Sequence, residues 1–336
     1  MRVLVTGASG LVGSHTVRAL LDDGHEVRAS ARSAERVARA LDPLGCADAV
    51  EVVEADVTDP EAVARALDAC DAVVHAAATF SYDIRDGREM LATNARAAEV
   101  VLGAACERGL DPVIHVSSFV VFLPAQGTIT PDSPIGRSKL AYTASKARSE
   151  EVARRLQSEG FPVTTTYPGA VWGPNDPALG ETSRLALDVL AGKLPLGAPG
   201  LLPVVDVRDL ARVHARALRP GLGPRRYLAV AELVPMLDVM RIISEAGGRR
   251  SPRGRVPGPV MLGLTRFVDV IQRLVPTRLP LNHEGVWVIL NARPFDVGGT
   301  VRDLEVEFRP AAETLRDTVA WLRETAGDRD REPVRA

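Results

Sequence analysis

The chain has 336 residues, 41 basic and 43 acidic side chains for a formal charge of −2, 46% hydrophobic residues and 25% charged ones. This composition excludes a disordered chain, a fibrous repeat and a disulfide-dense scaffold, and the balanced charge gives no global pull toward nucleic acid or an anionic membrane. Cys46, Cys70 and Cys106 lie far apart with no metal-knuckle or redox spacing, so reduced thiols, no metal site and a cytoplasmic location are expected. No apolar run has the length of a signal-peptide core or a membrane span.

In chain order, "RVLVTG" reads as a strand and Leu11 to Asp22 as a helix. "HEVRAS" and a helix over Ala34 to Leu41 follow, then "AVEVVEAD" and Pro60 to Ala69, then "DAVVHAA" and a long helix from Glu89 to Arg108. "PVIHVSS", a helix over Ser138 to Gly160 and the strand "PVTTTYPG" complete the first half. Short apolar strands without alternation, separated by amphipathic helices, predict an α/β doubly wound parallel sheet of the Rossmann type. Its active residues belong at the C-terminal ends of the strands.

The second half is richer in Gly and Pro: "VWGPNDPALG" and "KLPLGAPGLLP" read as loops around a short helix from Glu181 to Leu190. "RYLAVA" reads as a strand; Leu233 to Ala246, Val260 to Leu274 and Pro310 to Glu324 read as helices. The expected organisation is a cofactor domain over 1–170 that carries the catalytic residues and a small C-terminal substrate lid over 171–324. Residues 201–230 return to the first domain, and 325–336 form a flexible tail.

"VLVTGASGLVGSH" is the strongest local signal. Gly7, Gly10 and Gly13 allow a tight turn between strand and helix, and the helix N-terminus then faces a pyrophosphate with free N–H groups. Thr6, Ser9, Leu11 and Val12 complete that loop. About 20 residues on, where NAD specificity usually calls for an acid, stand Ser30 and Ala31, followed by Arg32 with Arg28 and Arg36 nearby. A guanidinium suits a 2′-phosphate, so Arg32 is the expected ligand and NADP(H) is favoured over NAD(H). Asp56 and Val57, after the third strand, are expected at the adenine. His75 reads as a packed histidine, and the small Ala76, Ala77 and Ala78 let a dinucleotide lie close to the backbone.

Tyr142 and Lys146 in "YTASK" share one helical face. A nearby ammonium favours the phenolate, so Tyr142 is the candidate acid and base, and Lys146 can also hold nicotinamide-ribose hydroxyls. Ser118, at the end of "HVSS", can polarise the substrate oxygen. Asn94 sits mid-helix, an unfavourable place that calls for a reason: a bond to backbone or a held water leading toward Lys146.

These motifs resemble the extended short-chain dehydrogenase/reductase family of NAD(P)-dependent epimerases and dehydratases, from Met1 to about Ala217 and weakly to Trp321. "TGASGLVG", "DVTD", "HAAA" and "YPGAVWGP" look like its cofactor segments, which implies that Pro168, Gly169 and Val171 pass beside the nicotinamide. Asn94, Ser118, Tyr142 and Lys146 fall on its catalytic tetrad, with Ser117 as the register ambiguity. Asp206 and Asp209 in "DVRD" read as structural caps or domain contacts. "VRASAR" resembles the arginine-bearing loop of the dihydroflavonol reductase and 3β-hydroxysteroid dehydrogenase branch.

Phe80, Tyr82, Phe119, Trp172, Met261 and Phe267 are the candidates for an apolar substrate pocket. The expected activity is therefore an NADP(H)-dependent oxidoreductase, of ketoreductase or alcohol dehydrogenase type, acting on the carbonyl or hydroxyl of a mostly apolar small molecule. The alternative is an NAD-dependent sugar-nucleotide epimerase, for which Arg253 and Arg255 could hold the diphosphate. A regulatory protein that binds dinucleotide without turnover is a third reading. The long helices 89–108 and 138–160 could pair in a homodimer.

Overall fold

The computed structural model describes residues 1–80, 87–197, 199–254, 256–274 and 282–329, so Tyr82 and Arg255 lie outside the described residues. Seven parallel strands form the main sheet in the order β3-β2-β1-β4-β5-β6-β9: β1 (Arg2–Thr6), β2 (Glu26–Ala31), β3 (Glu51–Glu54), β4 (Ala72–His75), β5 (Val113–Val116), β6 (Val163–Pro168) and β9 (Arg225–Ala229). Alternate residues of β1 serve opposite faces. Val3 and Val5 pack with α1 (Leu11–Asp22), α2 (Ala34–Leu41) and α7 (Val207–Ala217), and Leu4 packs with α3 (Pro60–Ala66), α4 (Gly87–Glu107) and α5 (Ala141–Ser158). Burial on both faces explains why the strands read as unbroken apolar runs. The chain leaves β1 for β2 and β3, then returns to β4 on the other side, which opens a crevice above the ends of β1 and β4.

A second, three-stranded sheet has the order β10-β8-β7, with β7 (Ala170–Trp172), β8 (Leu201–Asp206) and β10 (Glu232–Pro235). Its core joins Trp172, Leu202 and Val234 to side chains of α6 (Glu181–Leu190), α8 (Met236–Ala246), α9 (Gly258–Leu274), α10 (His283–Asn291) and α12 (Ala311–Arg329). These C-terminal helices make the lid. The stretches read as loops overlap the end of β7 and the start of β8, and α8 begins three residues later than expected because β10 precedes it. Each of these strands is short and its pairing is distant in sequence, so tertiary context overrides the Gly/Pro-rich local signal. Within 201–230, β8 stays with the second sheet while β9 pairs with β6 and α7 packs on α1; α11 (Gly298–Leu304) covers β9 and α7.

His214 of α7 locks these layers together. Its Nδ1 lies 2.8 Å from Thr16 Oγ1 on α1 and its Nε2 3.2 Å from Thr166 Oγ1 on β6. The Thr16 hydroxyl donates to the Val12 carbonyl, so Nδ1–H donates to Thr16 and Nε2 accepts from Thr166, a neutral tautomer. Burial lowers the His214 pKa to about 3. Asp206 accepts the Arg208 N–H at the start of α7, and Asp209 accepts the Arg309 N–H, so both carboxylates hold structure together.

A buried neutral histidine must take up a proton on unfolding, so the unfolded chain binds more protons between its own pKa near 6.5 and the folded one. Stability then falls as pH drops through that window, by about 1.4 kcal/mol per pH unit for each such histidine. His75, also held near 3, and His115, driven well below its ordinary range, add to the effect. Urea unfolding at pH 7 and pH 5 should show a marked acid loss, and His214→Gln should reduce that loss; an equal loss in both proteins would remove His214 from the account.

Candidate active site

The glycine loop lies between the ends of β1 and β4. Gly7 has φ +72°, and a Cβ there would lie 2.7 Å from the Ala77 nitrogen; one at Gly13 would overlap the Gly7 carbonyl. Both glycines are thus required by the fold itself. Gly10 differs: a Cβ would meet only the Gly7 oxygen, at 3.5 Å. Gly10 is also the N-cap of α1, with no side-chain cap and no acid in the first turn. The first N–H groups of α1 and its positive end therefore remain available to an anion. Thr6, through Oγ1, lies 2.8 Å from His75 Nδ1 and accepts the Ala77 N–H at 3.3 Å, fastening β1 to the end of β4. The open side of Gly10, the uncapped helix and the orphaned buried hydroxyl of Ser30 at the end of β2 fit a dinucleotide laid across the loop.

The β2 end is less cationic than its sequence suggests. Arg28 turns under the sheet, where it pairs with Glu51 at 3.0 Å and donates to the Ala66 and Asp68 carbonyls. Arg32 is exposed. Asp56 keeps a low pKa first through the Thr58 N–H and hydroxyl and further through the Arg32 guanidinium. Glu54, paired opposite Ala31, accepts the Ala34 N–H at 2.7 Å. Asp56, just past the β3 end, thus stands within electrostatic reach of Arg32.

Tyr142, Lys146 and Ser118 come together at the end of β5. Asn94 of α4 bonds to their neighbours: its Oδ1 accepts the Thr79 N–H at 2.8 Å, and its Nδ2 donates to the Thr79 carbonyl at 2.9 Å and to Ser145 Oγ at 2.7 Å. The mid-helix asparagine thus ties α4, the segment after β4 and α5 together. Lys146 Nζ donates to the Val116 carbonyl at 3.2 Å. Burial lowers the Lys146 pKa to about 8, against the pull of Glu150 one turn on. The phenol of Tyr142 is pushed up to about 12 by burial, while the hydrogen-bonded Ser118 hydroxyl opposes that shift and Glu284 adds to it. The upward direction differs from the expected activation by Lys146, because desolvation dominates. The Ser118 hydroxyl faces the phenol, and the buried Ser117 hydroxyl lies toward Glu150.

The substrate candidates disperse. Phe80 sits beside Tyr142, with ring centroids 4.3 Å apart. Phe119 packs edge-on against Phe295, and Trp172 and Met261 are buried in the lid core. Phe267 is exposed on α9. Two carboxylates escaped sequence reasoning. Glu150 was readable, since it lies four residues after Lys146 on the same face. Glu284 was not: it accepts the N–H groups of Tyr142 and Thr143 from a helix about 140 residues away, and locally it reads as an ordinary first-turn acid. Among the described residues no cluster of His, Cys, Asp or Glu could hold a metal ion, and no helix is long and apolar enough to cross a membrane.

A Rossmann-type sheet with a glycine turn at its switch point and a Tyr-Lys-Ser cluster at the next strand ends defines an NAD(P)-binding enzyme of the short-chain dehydrogenase/reductase type. The chain belongs to the NAD dependent epimerase/dehydratase family, whose model matches residues 3–229. It is an NAD(P)-dependent enzyme of oxidoreductase/epimerase type that acts on small organic or sugar substrates. It is 31% identical to sterol demethylase protein B of Methylococcus capsulatus, over 96% of this chain and 99% of that one. Among solved structures, the dTDP-glucose 4,6-dehydratase of Streptomyces venezuelae is similar at TM-score 0.75 and 25% identity, over 97% of this chain and 98% of that one. The UDP-glucose 4-epimerase of Bifidobacterium longum shares the fold at TM-score 0.76 and 19% identity, over 97% and 99%. Relatives range from a sugar-nucleotide reductase to a 3β-hydroxysteroid dehydrogenase, so they place the chain in the extended family and select no branch.

The preference for NADP(H) is corrected. The similar structures described with a nicotinamide cofactor hold NAD. The physical reason lies at the β2 end: Arg28 is consumed by Glu51 and backbone, and Asp56 lies within electrostatic reach of Arg32, where a 2′-phosphate would need a cationic cluster.

Gly10→Ala should leave the thermal midpoint within about 2 °C, since its φ of −106° suits alanine. It should weaken NADH binding by at least about tenfold, about 1.4 kcal/mol, in a fluorescence titration. Gly7→Ala should lose folding stability outright. Unchanged NADH affinity in the Gly10 variant would place the dinucleotide elsewhere.

Proposed function

We propose that this protein catalyses reversible dehydrogenation at a secondary carbinol carbon, with NAD(H) as cofactor and Tyr142 as acid and base. The observation that carries this reading is the convergence of Tyr142, Ser118 and Lys146 beside the glycine crevice. Thr6, Gly7, Ser9, Gly10, Leu11, Val12 and Gly13 would hold the pyrophosphate, and Arg32, Asp56 and Val57 the adenosine. Ala76, Ala77, Ala78, Pro168, Gly169 and Val171, with Tyr142 and Lys146, would hold the nicotinamide riboside. The bound cofactor supplies or takes up the hydride. Tyr142 gives the substrate oxygen its proton in reduction and removes it in oxidation, Ser118 donates a hydrogen bond to the same oxygen, and Lys146 stabilises the phenolate.

For the substrate, the family description and the likeness to a dTDP-glucose 4,6-dehydratase support a sugar nucleotide better than the apolar carbonyl expected from the sequence. On this reading a ring carbon is oxidised and re-reduced without net cofactor turnover. The apolar reading is retained as the second for one specific observation: the exposed ring of Phe80 lies against Tyr142. The full-length relative named for sterol demethylation supports it as well.

A panel of UDP- and dTDP-hexoses and of cyclic apolar alcohols, incubated with NAD, tests both. Epimer formation without NADH accumulation selects the sugar nucleotide; net NADH from an apolar alcohol selects the second reading. Tyr142→Phe should lower turnover of whichever compound reacts by at least about 100-fold, with NADH affinity within twofold. Retained turnover would remove Tyr142 as the acid and base.

A further inference from the structure

The catalytic helix does not cap itself. The N-cap of α5 is Leu140, whose side chain has no acceptor. Tyr142 and Thr143 are the second and third residues of that helix, and their N–H groups are among those that an intrahelical bond cannot satisfy. The missing acceptor comes from the lid. One oxygen of Glu284 accepts the Tyr142 N–H at 3.1 Å; the other accepts the Thr143 N–H at 2.7 Å and the Thr143 hydroxyl at 2.8 Å.

Glu284 is free for this task because α10 has its own cap: Asn282 accepts the Gly285 N–H. The carboxylate thus sits between the N-terminal ends of α10 and α5, both positive ends of helix dipoles. It is only 9% exposed, so its bonds are charge-assisted in a dry setting. The element that carries it is fixed on both sides. Val286 and Ile289 of α10 belong to the lid core, while Val288 packs in the cluster that contains Tyr142, Phe119 and Phe122. His283 next to it reaches Thr265 Oγ1 at 3.3 Å and donates its N–H to Asp269 at 3.3 Å, which ties α10 to α9.

The structure assigns Glu284 as a positioning residue: this lid carboxylate fixes the first turn of α5, sets the Tyr142 phenol against Ser118, and so links the seating of the lid to the proton-transfer group. The assignment rests on the reading of Tyr142 as acid and base. Tyr142 is surrounded by the Ser118 hydroxyl, the Phe80 ring, Lys146 on its own helix and Glu284 from the lid. The nearby His75 and His115 are neutral. The Glu284 charge disfavours the phenolate, so removing it lowers the pH at which Tyr142 acts as a base.

Three variants separate position from charge. Glu284→Ala removes both, Glu284→Asp keeps the charge but withdraws it, and Glu284→Gln keeps the size and one acceptor. Hydrogen exchange of the peptide containing Tyr142 and Thr143, read by mass spectrometry, needs no substrate; it should speed up by at least about tenfold in Ala and Asp, one factor of ten per 1.4 kcal/mol of lost protection. With the compound turned over in the panel above, kcat should fall about 10- to 100-fold in Ala while KM for the cofactor stays within twofold. In Gln the ascending, low-pH limb of the oxidation rate should move to lower pH. If the Ala variant does not fold, Asp and Gln decide by the same readings. Unchanged exchange at these amides in a folded variant, or unchanged kcat and pH limb, overturns the assignment. An inactive Tyr142→Phe beside fully active Glu284 variants sinks this inference alone, whereas an active Tyr142→Phe sinks the functional reading beneath it.

Discussion

A buried lysine ammonium is the constraint around which this site is organised. Lys146 is 7% exposed and lies between α5 and the end of β5, where desolvation of a charge costs several kcal/mol unless it is compensated. Compensation comes from the Val116 carbonyl and from Glu150, itself fully buried and held by the Tyr167 hydroxyl at 2.6 Å and by Arg154 at 2.9 Å. The two stacked imidazoles nearby, His75 and His115, stay neutral, since a second positive charge there would be unsupported. The result is a dry pocket wall with one net cation on the helix that carries Tyr142.

The same economy explains the polar residues around it. Asn94 spends its amide on Thr79 and Ser145 and so holds two helices and a loop in register. Thr6 bridges the first and fourth strands beneath the glycine turn. These groups keep the crevice floor and the tyrosine helix at fixed separation, as a reaction that depends on close alignment requires.

Much of this was legible in the sequence because the relevant signals are local. The glycine spacing, the tyrosine–lysine pair one turn apart and the unbroken apolar strands each encode their geometry within a few residues. The lid was legible only in outline: β7, β8 and β10 are three to six residues long and gain their identity from pairing across the chain. Cofactor choice was misread for a similar reason. Arg28 and Arg32 look equivalent in "VRASAR", yet Arg28 lies within β2, where it is paired opposite Glu51 and bonds to it, whereas Arg32 lies past the strand end within reach of Asp56. Glu284 lies beyond any local pattern.

The path of the chain has a mechanical consequence. After β6 it enters the small sheet for β7 and β8, returns through α7 and β9 to close the edge of the large one, and leaves again for β10. The two bodies are therefore stitched by several backbone crossings, with no lone tether between them. Several crossings couple the two sheets more tightly than a single linker would, because any displacement of one must be accommodated at every crossing at once. No single cut can separate the halves as independent modules, because the outermost strand of the larger sheet is laid down only after part of the smaller one.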